Sequence, residues 1–464
     1  MTRVVHKFGG SSLSSASRYQ AVAQIIVGQC QLGDCVVVSA AGKTTNTLVK
    51  LWQSYQQQEQ QSFNDILLQV ENHQVELINA LFQGEKQRQL ADTLLTELQV
   101  ITQAASTKTL NEAELLAHGE LWSARILANY LSESGLQAQA IDARALFTVH
   151  NGQLVHQQNK QACLATLDNE HIFVVTGFIA ADDQGNTVTL GRNGSDYSAT
   201  LLANYSDAES VSIWTDTQGV FSTDPRKVSS AIKYPKVCRD QANLLARLGN
   251  PVLHAKTLSP LKNTSIKLQV RSSFDPEAPG TEIVKAGYSK AKRFITSFDN
   301  LDLVRVDRLG VNEVREVSQL IQHSIHHFVQ NGEEFLLLPG AFTHQVSQYF
   351  AGRLTLVESH LQGFALVAPK ADISALELQA KSVLTEQDVV LRFAHSDEDY
   401  ALFLTDQAID SDVLAILHDK LVNKGRELAV IIAGLGNVGE VFLEQCQTQV
   451  ARLQAQFDLK VVGL

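Results

Sequence analysis

The chain of 464 residues is poor in proline, methionine and cysteine, with eight, one and five of each. Its cysteines, Cys30, Cys35, Cys163, Cys238 and Cys446, are odd in number, scattered and without CxxC spacing. That argues against a disulfide framework and a cysteine zinc site, and leaves buried reduced thiols as the expectation. No apolar run approaches the roughly 20 residues of a membrane span. MTRVVHKFGG leads into a strand rather than a signal peptide, so a cytoplasmic protein without a membrane partner is expected. An excess of positive charge is also missing. The net charge is -11 and Lys and Arg do not cluster, which argues against nucleic acid as a partner. What remains is an ordinary globular balance, 44% hydrophobic and 19% charged, in a chain long enough for two or three cores.

Two stretches concentrate the chemistry. VVHKFGGS, Val4 to Ser11, reads as strand and glycine turn before a helix with Val22, Ile25 and Ile26 on its apolar face. Glycines there let backbone N–H groups approach an anion, and Lys7 can reach the same anion. LGRNGSDYSAT, Leu190 to Thr200, packs Arg192, Gly194, Ser195 and Asp196 into five residues at a helix start. Arg192 can fork onto a carboxylate or phosphate, while Asp196 is either a cap or a site group. Between them, CVVVSA leads into Ala41-Gly42-Lys43-Thr44-Thr45-Asn46, which is no P-loop, because the first glycine of that motif would fall at Val37 inside the strand. Asn111 with Glu114 predicts the start of a helix that carries His118-Gly119-Glu120, Gly119 allowing close approach beside Glu120. HIFVVTGF is a further strand, and after Val211 to Trp214 two turns follow, with Thr215, Asp216, Phe221, Asp224, Arg226 and Lys227. They suit a nucleotide whose base rests on Phe221 and whose phosphates meet Arg226 or Lys227.

Taken in order, HKFGGSS, VVVSAAGKTTN, HGELWSA, TGFIA, LGRNGSDYSAT and WTDTQGVFSTDPRKV resemble the motifs of aspartate kinases in the amino acid kinase superfamily, over about 230 residues. The resemblance implies an α/β protein with a three-layer α/β/α kinase domain at 1–290; for the rest of the chain the sequence predicts a tandem ACT-like α+β region for regulation or dimerisation at 291–425 and a truncated Rossmann βαβ at 426–464. It implies ATP-dependent phosphorylation of the L-aspartate side-chain carboxylate to 4-phospho-L-aspartate, with Mg2+ on the ATP and an unknown number of metal ions. Lys7 and Asp196 then match catalytic positions, and Thr45, Glu120, Phe178, Arg192 and Ser195 match substrate positions, Glu120 opposite the ammonium. Lys7, Gly9, Gly10, Ser11, Thr215, Asp216, Phe221 and Arg226 match ATP positions. The acceptor carboxylate is already ionised at pH 7, so Asp196 is expected to orient Lys7 or a metal-bound water rather than to act as a base.

One departure stands out. Where aspartate kinases carry GAKVLHP this chain has LGNPVLHA, so the lysine position is Pro251, and either Lys256 or Lys227 substitutes or ATP binds more weakly. PVLHA with GRNGSDYSAT resembles the methionine-branch (type II) bifunctional aspartokinase/homoserine dehydrogenases. A weakened kinase retained as a scaffold or amino-acid sensor is the alternative. Asp302 to Val306, an amphipathic helix bearing Val314, Val317, Ile321, Ile325 and Phe328, and Glu333 to Leu338 are read as one βα unit, restarting at Gly363. This pair predicts a homodimer or higher homo-oligomer. His323, His326 and His327 are read at helical spacing as a solvated face rather than a metal site. At the end, Gly434, Gly436 and Gly439 form GxGxxG between two apolar strands, a dinucleotide fingerprint for NADP(H) that would be complete only in a longer protein. No homoserine dehydrogenase activity is therefore expected of these residues.

Overall fold

The computed structural model describes residues 3–250, 252, 254–285, 292–321, 323, 325–423, 426–431, 436, 441–442, 444–445 and 457–463, with the backbone alone at 319, 426–431 and 457–463. The chain divides into two units. The first holds Met1–Val220, Pro235–Ala246 and Pro251–Ser289, and the second Phe221–Tyr234, Arg247–Asn250 and Lys290–Leu464.

In the first unit the order is β1 (Val4–Phe8), α1 (Ala16–Gln29), β2 (Cys35–Val38), α2 (Thr44–Gln56), α3 (Gln60–Leu81), α4 (Gly84–Ser106), α5 (Glu112–Glu133), β3 (Ala138–Ile141), β4 (Thr148–His150) and β5 (Gln153–Leu154). Then come α6 (His156–Thr166), β6 (Ile172–Thr176), β7 (Ile179–Asp182), β8 (Thr187–Thr189), α7 (Gly194–Tyr205), β9 (Ser210–Thr215), β10 (Lys236–Cys238), α8 (Arg239–Arg247), α9 (Ala255–Leu258), β11 (Lys267–Ser272) and β12 (Thr281–Val284). Eight strands form one sheet in the order β10-β12-β11-β9-β1-β2-β6-β3, and β5-β4-β7-β8 form a smaller one. From β11 to β3 every neighbouring pair of the main sheet is parallel.

Parallel strands bury both faces, which is why CVVV of β2 is apolar throughout and fully buried. Val36 and Val38 join Phe8, Trp214 and the apolar faces of α1 to α5 in one cluster, while Cys35 and Val37 point to the opposite face. Helix α5 starts as its sequence predicts, the Asn111 side chain accepting the Glu114 N–H at 3.1 Å. Because β9, β1, β2 and β6 run parallel, the loops after Thr215, Phe8, Val38 and Thr176 leave one edge of the sheet together. Among the described residues no helix is long and apolar enough to cross a membrane.

The second unit contains β13 (Phe294–Val306), α10 (Glu313–Leu320), β14 (His326–Gln330), β15 (Glu333–Pro339), α11 (Thr343–Phe350), β16 (Leu354–Val367), α12 (Lys370–Glu386), β17 (Leu391–Ser396), β18 (Tyr400–Thr405) and α13 (Ser411–Leu421). Its six-stranded antiparallel sheet runs β14-β15-β13-β16-β18-β17. The long strands β13 and β16 pass from one apolar cluster, with Val317, Leu336 and Phe350, to another, with Phe364, Leu376 and Leu414. Gly363 therefore sits inside β16 rather than opening a new strand.

The expected helix from Val314 to Phe328 is corrected. It stops at Leu320, and Phe328 lies on β14, where Phe328 pairs with Phe335. His326 and His327 are thus on a strand, not a helix, and point to opposite faces. His326 is buried against the Tyr400 hydroxyl, at 3.0 Å, and His327 pairs with Glu334. Along β14 burial alternates, with His326 and Phe328 buried and His327 and Val329 exposed, as a strand requires, and the apolar spacing alone does not exclude that. Beyond these lie β19 (Arg426–Ile431) and β20 (Phe457–Gly463), paired in parallel.

Candidate functional site

The site at the parallel edge is built by close backbone approaches. A Cβ on Gly10 would stand 2.7 Å from the Gly42 carbonyl and 2.9 Å from that of Ala40, so only glycine lets the turn after β1 meet the loop after β2. Across the site a Cβ on Gly177 would lie 2.5 Å from the Ser195 Cβ, and one on Gly194 would lie 2.7 Å from the Phe178 ring. The TGF and NGS segments interlock in this way. Gly177 was not singled out from the sequence, because the need for it arises only when β6 meets α7.

Lys7, 9% exposed, forms an ion pair with Asp196 at 2.5 Å. Asp196 lies in the first turn of α7, whose preceding residue Asn193 takes a left-handed φ of 51° and makes no side-chain cap, so Asp196 serves Lys7 rather than capping the helix. Arg192 is exposed on the same loop and holds no hydrogen bond or ion pair among the described residues. Ser195 is buried, and Thr45 is half-buried in the first turn of α2.

Glu120 is 3% exposed on α5. Its carboxyl is pushed up to about 8 by burial, against the Ala40 N–H it accepts and the Lys7 charge. Its Oε2 atom has no hydrogen-bond partner. A buried carboxyl in this state awaits a cation or donor, and strong perturbation in a cleft marks a functional group. Gly119 makes the placement possible, since a Cβ there would meet the Ala40 Cβ at 2.9 Å.

Other expected residues are placed as follows. Ser11 is exposed in the single turn Gly10–Leu13, and Gly9 donates its N–H to the Trp214 carbonyl at 3.4 Å. Phe178, at a φ of 68°, gives its N–H to Ser198 Oγ at 3.0 Å, and its carbonyl accepts the Leu190 N–H at 2.6 Å, so only carbonyl lone-pair capacity remains for a ligand. Thr215 donates its hydroxyl to Asp216 at 3.1 Å. The expected nucleotide turns fall in different units: Thr215 and Asp216 belong to the first, Phe221 and Arg226 to the second. Within the second unit the Arg226 fork closes on Asp224 through two bonds of 3.0 Å, and Lys227 donates to Ser297 at 3.0 Å. Pro251, Gly434 and Gly439 lie outside the described residues, as does Cys446.

One group among the described residues has metal-ligand atoms within 4.8 Å of one another, His6, Cys30 and Asp34. Its chemistry argues against a metal. The His6 Nδ1 atom accepts the Trp214 indole N–H at 3.1 Å, and burial holds the ring neutral by lowering it to about 4. The remaining proton is then on Nε2, which offers an N–H instead of a lone pair. The four described cysteines are unbridged.

The amino acid kinase family profile matches residues 2–272. The chain belongs to the amino acid kinase family. Across its whole length it is 31% identical to the bifunctional aspartokinase/homoserine dehydrogenase 2 of Escherichia coli, covering 60% of that protein. Over 60% of this chain and 63% of the relative it is 35% identical to lysine-sensitive aspartokinase 3 of the same organism. Among solved structures, E. coli aspartokinase III in complex with aspartate and ADP matches with a TM-score of 0.77 at 26% identity, over 90% of this chain and 99% of that one. The chain thus spans about three-fifths of the bifunctional relative's length. Kinase fold and ACT-like mixed α/β region agree with the architecture expected from the sequence.

Proposed function

We propose that this chain is an aspartate kinase, transferring the γ-phosphoryl group of ATP to the side-chain carboxylate of L-aspartate. The observation that carries the reading is the Lys7–Asp196 ion pair at the sheet edge beside a buried Glu120 carboxyl whose Oε2 atom has no partner. The related aspartokinases, one of them solved with aspartate and ADP, support it. Acceptor and ATP are both anionic, so the protein must align them and offset their repulsion. In this reading Lys7 neutralises phosphate charge and Asp196 fixes the direction of its ammonium. Arg192 forks onto the carboxylate of aspartate, and Glu120 ionises to receive its ammonium. Thr45 and Ser195 complete the substrate pocket, with Thr215 and Asp216 on the nucleotide side.

Mg2+ fits this donor set, because its ligands are hard oxygens, typically one or two carboxylates plus phosphates. Asp196 and Asp216 would contribute to holding it, and the ion would supply further neutralisation of phosphate charge. For NADP(H), the parallel pairing of β19 and β20 on either side of GxGxxG fits the opening of a dinucleotide unit in a longer protein. We also assign chain pairing to the second unit, supported by Leu356 and Val357 of β16, which are 49% and 48% exposed.

Coupled release of ADP tests the reading. Turnover should require L-aspartate and fall by on the order of 10²–10³ in Lys7→Ala and Asp196→Asn, the cost of removing one preorganised electrostatic contact. Aspartate-independent ADP release, or full activity in both variants, would overturn it.

A further inference from the structure

Lys256 is half-buried on α9, and its Nζ donates to the Leu190 carbonyl, the residue that opens the loop bearing Arg192. The ammonium also lies 4.9 Å from the centre of the Tyr197 ring, next in sequence to Asp196. Among the described residues no carboxylate pairs with it, although burial disfavours its charge. A carbonyl and a ring face satisfy part of a group with three N–H donors. A cation drawn partly out of water without a counter-ion is costly and is retained where an anion completes it.

His254 ties Lys256 to the rest of the site. Its ring accepts the Lys256 backbone N–H at 3.3 Å. Burial, then the charges of Lys256 and Arg192, hold that ring below its usual range, with Asp196 opposing. The His254 ring thus lies within electrostatic reach of Lys256, Arg192 and Asp196. By contrast, Lys227 is engaged with Ser297 in the second unit.

We infer that Lys256 is a substrate-binding cation that, with Arg192, receives a carboxylate of the amino-acid acceptor. Anionic oxygen is the shared chemistry of carboxylate and phosphate. The carboxylate is assigned because the ammonium is anchored on the Arg192 loop rather than on the glycine turn after β1. The inference rests on the aspartate kinase reading and sharpens its acceptor site.

The test compares wild type, Lys256→Met and Lys256→Arg by calorimetry with L-aspartate and separately with ADP, alongside turnover. Loss of one charge-assisted contact should weaken aspartate binding and raise its KM roughly 10- to 100-fold in Lys256→Met. ADP affinity should stay within about twofold, and Lys256→Arg should recover part of the loss, which a purely structural role would not predict. Unchanged aspartate affinity in Lys256→Met, or an equal loss for ADP, overturns the assignment. Near-UV circular dichroism checks folding, and if the Met variant is unfolded the same comparison is made on Lys256→Gln. Aspartate binding to wild type without turnover would remove the kinase reading yet leave the affinity comparison decisive for Lys256. Wild type that does not bind aspartate overturns both.

Discussion

At the scale of single residues, Glu120 carries the sharpest physical consequence. Its carboxyl titrates near 8 in the fold, above the ordinary carboxylate range of about 4.3 in the unfolded chain. For a raised carboxyl the sign is clear. Below the unfolded value both states are protonated and nothing is lost, and stability then falls as pH rises until the folded group ionises near 8. The full cost at higher pH is on the order of 5 kcal/mol. Glu120→Gln should therefore unfold at a higher temperature than the parent at pH 9, with the difference vanishing at pH 4. The same variant should bind aspartate poorly, and the parent should release a proton on binding it at pH 7, seen as a buffer-dependent heat in calorimetry. An equal melting temperature at pH 9 would show that the Glu120 environment stabilises the charge.

At the scale of elements, the site depends on glycines whose neighbours come from distant segments. Replacing a helical glycine by alanine ordinarily gains about 1 kcal/mol. At Gly119 the added Cβ would press on Ala40 at 2.9 Å, with Leu48 and Thr44 at 3.4 and 3.5 Å. Overpacking of about 1–3 kcal/mol outweighs the propensity gain. Gly119→Ala should lower the denaturant midpoint and shift Glu120, and a stabilised variant would show that α5 can withdraw freely from α2. The helix misread across Ile325 and Phe328 belongs to this scale too. Val314, Val317 and Ile321 are spaced for a helix, and the same apolar spacing continues through residues whose backbone is claimed by pairing with β15. Local pattern is a weak prior where a neighbouring strand supplies a full ladder of hydrogen bonds.

At the scale of the whole molecule, the two units are not two consecutive pieces of chain. Residues 221–234 leave the first unit and belong to the second, where Val228 is 1% exposed among Ile295, Phe364 and Leu414. Ser222 bonds His418 at 2.8 Å, and Tyr234 donates to the Arg293 carbonyl at 2.8 Å. A fragment cut at residue 290 would strip that segment of its core. Trypsin should then cleave at Arg226 or Lys227 within minutes in the fragment, while the intact chain resists at the same sites. Equal resistance in both would mean that 221–234 holds its fold without the second unit.

Motif order and buried apolar strands were enough to identify the kinase fold and its family, because glycine turns, a parallel-strand composition and charged loop residues are local properties of sequence. The sequence also brought forward Lys7, Asp196 and Glu120 as candidates. Tertiary structure alone decided that Lys7 and Asp196 meet, that Glu120 is left with a partnerless oxygen, and that Lys256 approaches the Arg192 loop. It also gave Phe221 and Arg226 to a different unit from Thr215. These are contacts between residues far apart in the chain, and no local propensity specifies which distant group will desolvate a charge or accept its proton.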